Sequence, residues 1–479
     1  MILSLLFISV FNGYSQNNVY SWGDQGNGTY INPILNADYS DPDVIRVNDK
    51  YYMVASEFHY MGIQLLESDD MVNWKLVTKI YDRLDFPEYD KNQRYGGGSW
   101  APSIRYHDNK LWVYFCTPHE GLFMTNAEKP EGPWAPLINV KNVAGWEDPC
   151  PFWDEDGKAY LGRSKRGAGP IIIHKMSPDG TKLLDDGVTV YTGPVAEGTK
   201  IHKKDGYYYM SIPEGGVAMG WQTVLRSKNI YGPYEKKVVL ETGMTSVNGP
   251  HQGSIVDTKN DEWFFYHFQY VEPIGRVVHL QPMFWKDGWP VIGVDMDMNG
   301  IGEPVKVWTK PNLPVAKIET PATDDDFNDD VLKPQWQFNH NPVNEGWTLG
   351  KYKGMITFST FYADGFKNAR NTLTQKTMGY KSTATIKMDI RNIVNGQRCG
   401  LACMGRNNWL IGISRDNGKD SMYLEANGKI QKKIPFKGKT VYLRLDADAM
   451  NNKYKLYYSS NGRDFKVLRD EPFSMRWGY

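Results

Sequence analysis

The chain has 479 residues, of which 41% are hydrophobic and 14% aromatic, with 55 Lys+Arg against 55 Asp+Glu. That length suffices for two or three separate cores. The charge balance argues against nucleic acid or an anionic membrane surface as a partner.

In chain order, the first feature is the apolar run ILSLLFISVF, followed by Asn12-Gly13-Tyr14-Ser15-Gln16. A short apolar stretch ending in small-x-small reads as a signal peptide over residues 1–15, which predicts a secreted or periplasmic protein. It is too short to span a bilayer, and no later segment is long and apolar enough.

From residue 30 to about 310 a strand pattern repeats. Asp41 leads into DVIRVNDKYYMVAS, Trp100-Ala101-Pro102 into SIRYHDNKLWVYFCT and Asp148 into CPFWDEDGKAYLGR. Glu197 leads into TKIHKKDGYYYMSI, and Gly249-Pro250-His251 into QGSIVDTKNDEWFFYHFQ. In each copy two period-2 apolar runs flank a turn such as Asn48-Asp49-Lys50, Asp108-Asn109, Asp156-Gly157, Asp205-Gly206 or Asn260-Asp261. Polar residues and Gly tolerate the positive φ of tight hairpin turns. A second marker follows several copies: SDDMVNWK, EKPEGPWAP, SKNIYGPYE and FWKDGWPVIG. Repeats of about four strands, spaced by about 48 to 59 residues, predict propeller blades around a central channel. The predicted fold is all-β, a five-bladed β-propeller followed by a β-sandwich.

The sandwich is predicted beyond a Pro- and Asp-rich linker at residues 311–327. From 328 to 479 short alternating strands recur (MITFSTF, NTLTQK, TATIKMDI, WLIGIS, SMYLEA, TVYLRLDA, KYKLYYSS), with turns at Asn417-Gly418, Asn427-Gly428 and Asn461-Gly462. Arg476-Trp477-Gly478-Tyr479 follows directly on a strand expected to need a neighbour, so the sandwich is expected to be truncated. The four cysteines, Cys116, Cys150, Cys399 and Cys403, have no zinc-ligand spacing and read as small buried hydrophobes. Cys399 and Cys403 lie too far apart along one strand for a disulfide.

Three of the five repeats open on an acid: Ser40-Asp41-Pro42-Asp43, Glu147-Asp148-Pro149 and Ala196-Glu197-Gly198. Carboxyls delivered from equivalent repeat positions can converge on one axis, where glycosidic bond cleavage needs a general acid and a general base. Plainer roles compete with this. Asp41 could cap an Asx turn, Asp148 could pair with Arg163, and Glu197 could be a surface acid near Lys200, with Glu214 a rival acid. The Gly96-Gly97-Gly98-Ser99 run has neither the lysine nor the helix of a phosphate loop.

NPILNADYSDPDVIRVNDKYYMVAS, then SDDMVNW, WAPSI, WEDP, AEGTKIHKKDGYYYM and YGPYE, resemble glycoside hydrolase family 43, over residues 32 to about 300. The later region, with FNHNP and GWTL, is similar to the sandwich appended in that family's β-xylosidase branch. The resemblance implies an inverting exo-enzyme releasing terminal β-D-xylose or α-L-arabinofuranose from xylan- or arabinan-derived oligosaccharides. It implies Asp41 as general base, Asp148 as the carboxylate that tunes and orients the acid, and Glu197 as general acid. Arg276 is expected to reach the site, and Phe58 and Trp100 to wall the sugar pocket. His251 is expected to enter the channel, where it would help hold a structural calcium; no cofactor is needed for the chemistry. Asp43 departs from the serine usual after the Asp-Pro pair, which bears on fine specificity. The competing class is a catalytically silent, carbohydrate-binding propeller.

Overall fold

Five four-stranded antiparallel sheets follow one another in the computed structural model, which describes residues 21–91 and 94–478. The predicted signal segment lies outside the described residues. Each sheet is a simple meander. Its first strands are Asp43–Val47, Trp100–His107, Trp146–Trp153, Lys200–Lys204 and Ile255–Asp257, at the five repeat starts. The hairpin turns form where turn chemistry placed them: Asn48, Asn109, Asp205 and Asp261 all sit at φ between 51° and 59°. Small polar side chains hydrogen-bond locally and so tolerate the left-handed region.

Neighbouring sheets share cores. Val54 and Leu65 of the first sheet pack with Ile104 and Phe115 of the second. Tyr114 and Met124 pack with Leu161 of the third, and Ile173 with Ile201 and Leu225 of the fourth. Val224 meets Phe265 of the fifth, and Tyr266 and Leu280 of the fifth return to Met53 and Leu66 of the first. The ring of interfaces therefore closes. Burying each such side chain stabilises the fold by about 1.5–3 kcal/mol. Closure is reinforced by a small sheet in which Thr29–Ile31 pairs with both Gly23–Asp24 and Val307–Thr309, joining the two ends of this domain.

The second domain is a sandwich of two four-stranded sheets. One holds Lys381–Asp389, Thr440–Asp448, Lys453–Ser459 and Lys466–Val467; the other holds Arg398–Met404, Asn408–Asp416, Lys419–Ala426 and Lys429–Pro435. Thr440–Asp448 alternates half-buried and buried residues without exception, the signature of a strand with one face on a core. Val441, Leu443 and Leu445 meet Ile411, Ile413 and Leu424 across the sheets. The predicted strand at MITFSTF forms instead a separate hairpin, Trp347–Tyr352 with Met355–Phe358. The strand Lys453–Ser459 is paired on both sides, and Tyr454 also bridges to Phe473, so it is not the unpaired edge the sequence suggested.

The stretch expected to be a linker, 311–327, is mostly exposed but touches the first domain at points along and just before it. Lys310 pairs with Asp24 and Asp70, Leu313 packs on the core shared by the first and fifth sheets, and the Glu319 N–H donates to Asn73. Residues 334–341 also lie on the first domain: Gln64 donates to the Pro334 carbonyl, and the Leu84 N–H donates to Asn341. The sandwich sheets begin only at Lys381. Buried Glu57 of the first domain receives Gln337 and Lys376 at 2.9 Å each, so a partly desolvated ion pair bolts the domains together.

Candidate active site

Every repeat opens on a left-handed residue: Asp41 (φ 51°), Ala101 (39°), Asp148 (57°), Gly198 (63°) and Gln252 (43°). The residue before each is Ser40, Trp100, Glu147, Glu197 or His251. This register corrects the expectation of three equivalent acids. Asp41 and Asp148 are equivalent, but Glu197 stands one position earlier, where the third repeat has Glu147. Glycine at 198 hides the shift, because it takes the strained backbone position without a side chain.

The structure nonetheless brings the acids together, at the inner ends of the first, third and fourth sheets. Asp148 is 4% exposed and Glu147 5%, and a carboxylate oxygen from each lies within 4.8 Å of the others and of Glu197. Each acid has its own retinue. Asp41 accepts Ser56 Oγ at 2.5 Å and Arg276 Nη1 at 2.7 Å, and Ser56 is aimed by the Ala101 N–H. Asp148 accepts Ser164 Oγ at 2.5 Å, the Gly198 N–H at 2.8 Å and Gln252 Nε2 at 3.0 Å. Glu197 Oε1 lies 2.7 Å from His251 Nε2.

These partners decide who keeps a proton. Burial raises the Asp41 carboxyl, while the Arg276 charge and the Ser56 hydroxyl pull it back. Burial and then the charge of Glu197 raise Asp148, against three hydrogen bonds and charges that favour its ionised form. Burial followed by the Asp41 charge pushes Glu197 up to about 7, against the opposing charge of Arg276. The expectation was that Asp148 supplies the charge that raises Glu197. Asp41 is the carboxylate that does so in this arrangement, while the repulsion between Asp148 and Glu197 falls on Asp148. Asp148 is met by three donors and Asp41 by a guanidinium and a hydroxyl, whereas Glu197 is met by His251.

His251 is fully buried and held at about 4, chiefly by burial, so its ring is neutral. Its Nδ1 has no partner. A buried N–H without an acceptor costs more than an unused lone pair, so the proton belongs on Nε2, aimed at Glu197 Oε1. That leaves the second oxygen of Glu197 to carry the acidic proton.

Arg276, Phe58 and Trp100 also converge. The Arg276 guanidinium lies 5.4 Å from the Phe58 ring centroid, and Phe58 meets Trp100 edge-to-face at 5.4 Å. His251 Nε2 is spent on Glu197, so this ring is held by the acid cluster. Farther along the channel the cation is part of the chain. Fully buried Lys200 donates to Ser103 Oγ at 2.7 Å and lies 3.8 Å from Asp43, whose Oδ2 also accepts Arg105 Nη1 at 2.6 Å. Asp43 is therefore a structural ion-pair residue rather than a specificity contact, and Lys200 is no surface partner of Glu197.

The rival roles do not hold. Arg163 donates to His174 and stacks over Trp146 rather than pairing with Asp148. Glu214 is consumed by Tyr191 and Thr223. Sequence reasoning missed Ser56, Ser164, Gln252 and Glu147. The serines had a signal, since Ser164 lies near the end of the second strand of its acid-bearing repeat and Ser56 two residues beyond that strand in its own.

Carboxyls gathered at the ends of a ring of sheets, Asp41 and Asp148 held by donors and Glu197 raised to about 7, suit glycosidic bond cleavage by an acid and a base. Residues 30–290 match the family model described as Glycosyl hydrolases family 43, and residues 324–476 match the beta xylosidase C-terminal concanavalin A-like domain. The chain belongs to glycosyl hydrolases family 43. It is 54% identical over 460 residues to a protein of Xylanibacter ruminicola whose β-xylosidase name is provisional, covering 96% of this chain and 86% of that one. It is 37% identical to a β-xylosidase of Formosa agariphila (93% and 85% covered). A family 43 protein from Bacillus licheniformis superposes with a TM-score of 0.79 at 26% identity, covering 92% of this chain and 91% of that one.

Proposed function

We propose that this enzyme is an inverting exo-glycosidase that releases terminal β-D-xylose, α-L-arabinofuranose or both from plant cell-wall polysaccharides and oligosaccharides. Its five sheets are read as the blades of a five-bladed propeller. Asp41 activates water, Glu197 protonates the leaving oxygen, and Asp148 anchors the Gly198 N–H next to that acid. The observation that carries the reading is the contrast between Asp41, paired with Arg276 and Ser56, and Glu197, buried beside a neutral histidine. One group is prepared as a base and the other as an acid. The relatives named as β-xylosidases supply the sugar, and a relative of Bacteroides ovatus, 29% identical and named a non-reducing end α-L-arabinofuranosidase, keeps arabinose in view. The apolar N-terminal run is read with this as an export signal.

The test is turnover of 4-nitrophenyl β-D-xylopyranoside and α-L-arabinofuranoside, with the anomer of the released sugar followed by NMR. Glu197→Ala should cripple xylobiose cleavage and largely spare aryl glycosides, whose leaving groups need no proton, whereas Asp41→Ala should abolish both. Equal loss for Glu197→Ala on both substrates overturns its role as the acid. Binding without any turnover would leave the silent propeller.

A further inference from the structure

Three acids serve the proposed reaction, but a fourth, Glu147, is buried beside them. Glu147 occupies in the third repeat the place that Glu197 holds in the fourth, directly before the left-handed residue. The two glutamates are thus presented by the same backbone geometry from adjacent sheets. Glu147 is 5% exposed, and one of its oxygens accepts the Ala168 N–H at 3.2 Å.

The charges facing Glu147 are unfavourable to a carboxylate. Its own strand supplies Asp148, the fourth sheet supplies Glu197, and Asp41 acts from the first sheet. The nearby arginines are engaged with rings: Arg163 lies over Trp146 and Arg166 over Trp100. Among the described residues Glu147 makes no ion pair. Three carboxylates in one buried spot cannot all be ionised. Burial, then Asp148 and Glu197, push Glu147 up to about 9.

We propose that Glu147 remains a neutral carboxylic acid and donates a hydrogen bond, directly or across one water, to the carboxylate that Glu197 becomes on giving its proton to the leaving oxygen. The contact strengthens only as that negative charge develops, so it favours the transition state over the bound substrate. An oxygen spacing of up to 4.8 Å suits a single bridging water or a small closing movement. Glu147 acts through Glu197 and is a positioning residue. The inference rests on the assignment of Glu197 as the acid.

Glu147→Leu removes the donor and Glu147→Gln keeps one. For Glu147→Leu, kcat on xylobiose should fall about tenfold or more and on aryl xylosides by less than about threefold. Loss of a donor to ionised Glu197 disfavours ionisation, so the basic limb of kcat/KM should move up by about half a pH unit or more. Glu147→Gln should restore most of both. A basic limb that moves down would show that Glu147 is charged in the wild type, and equal losses on both substrates with an unmoved limb would show a structural role; either overturns the proposal. Should Glu147→Leu fail to fold, infrared difference spectra of wild type against Glu147→Gln at pH about 8 decide it. A protonated carboxyl band present only in the wild type supports the proposal, and its absence sinks it. Failure of the acid assignment shows separately, as loss of the leaving-group dependence of Glu197→Ala.

Discussion

Trp477 of the second domain donates its indole N–H to Asp38 at 2.8 Å, and the other oxygen of Asp38 accepts the backbone N–H of Arg276 at 3.0 Å. Arg276, which bonds Asp41, is thereby tied to Trp477. Ser40, next to Asp41, donates to the same Asp38 oxygen. Gly275 makes the approach possible, since a β-carbon there would lie 2.5 Å from the indole nitrogen. The second domain is thus joined to Asp41 through a short chain of hydrogen bonds.

Trp477→Phe tests that tie while keeping the ring. It should lower kcat/KM about three- to tenfold, less than the full worth of a charge-assisted hydrogen bond because the tie reaches Asp41 only through Asp38 and Arg276, with little change in melting temperature. The loss should be equal on aryl and sugar leaving groups, because both need water activated by Asp41. A loss confined to poor leaving groups would contradict the link to the base.

The acid and base should frame the pH profile. Glu197 must be protonated and is held at about 7, so activity should fall as pH rises through about 7. Asp41 must be ionised and burial raises it, so the acidic limb should lie above the ordinary aspartate range. A kcat/KM profile flat from pH 6 to about 9 would place the acidic proton elsewhere.

How far the sequence carried these conclusions depends on the range of each interaction. Strands and hairpin turns are local, and Asn48, Asp205 and Asp261 announced them through their side chains. The acids were also visible, because Asp-Pro recurs at the repeat starts. The register of Glu197 was hidden by Gly198, whose lack of a β-carbon leaves nothing to align on. The contacts of residues 311–327 were not legible, because Pro- and Asp-rich composition reports local stiffness and polarity, not what Leu313 or Glu319 will meet. Glu57–Lys376 and Asp38–Trp477 join residues hundreds of positions apart, and no periodicity connects them.

Stability should trade against the acid's function. Glu197 rises from 4.5 unfolded to about 7 folded. Its contribution is complete below pH 4.5 and is lost as pH climbs through 7. Glu197→Gln never titrates, so it should melt at about the same temperature as the wild type at low pH and a few degrees higher at pH about 8. Melting curves of both proteins across this range check it, and a gap that does not change with pH would mean that the site does not strain the fold electrostatically.

The last prediction concerns metal. The channel carries its own cations, with the Lys200 ammonium 3.8 Å from Asp43 and Arg105 bonded to the same carboxylate oxygen. His251 Nε2 is engaged with Glu197. Exhaustive treatment with EDTA should therefore leave both turnover and melting temperature unchanged, and added calcium should not raise either. Lys200→Met should behave differently. It strands the Asp43 carboxylate with less compensation in a buried site, and breaking such a pair costs about 3–5 kcal/mol, so the first domain should melt well below the wild type. A Lys200→Met protein that stays stable and becomes calcium-dependent would show that the ammonium stands in a true metal position. Chelator sensitivity of the wild type would show that a cation binds elsewhere in the channel.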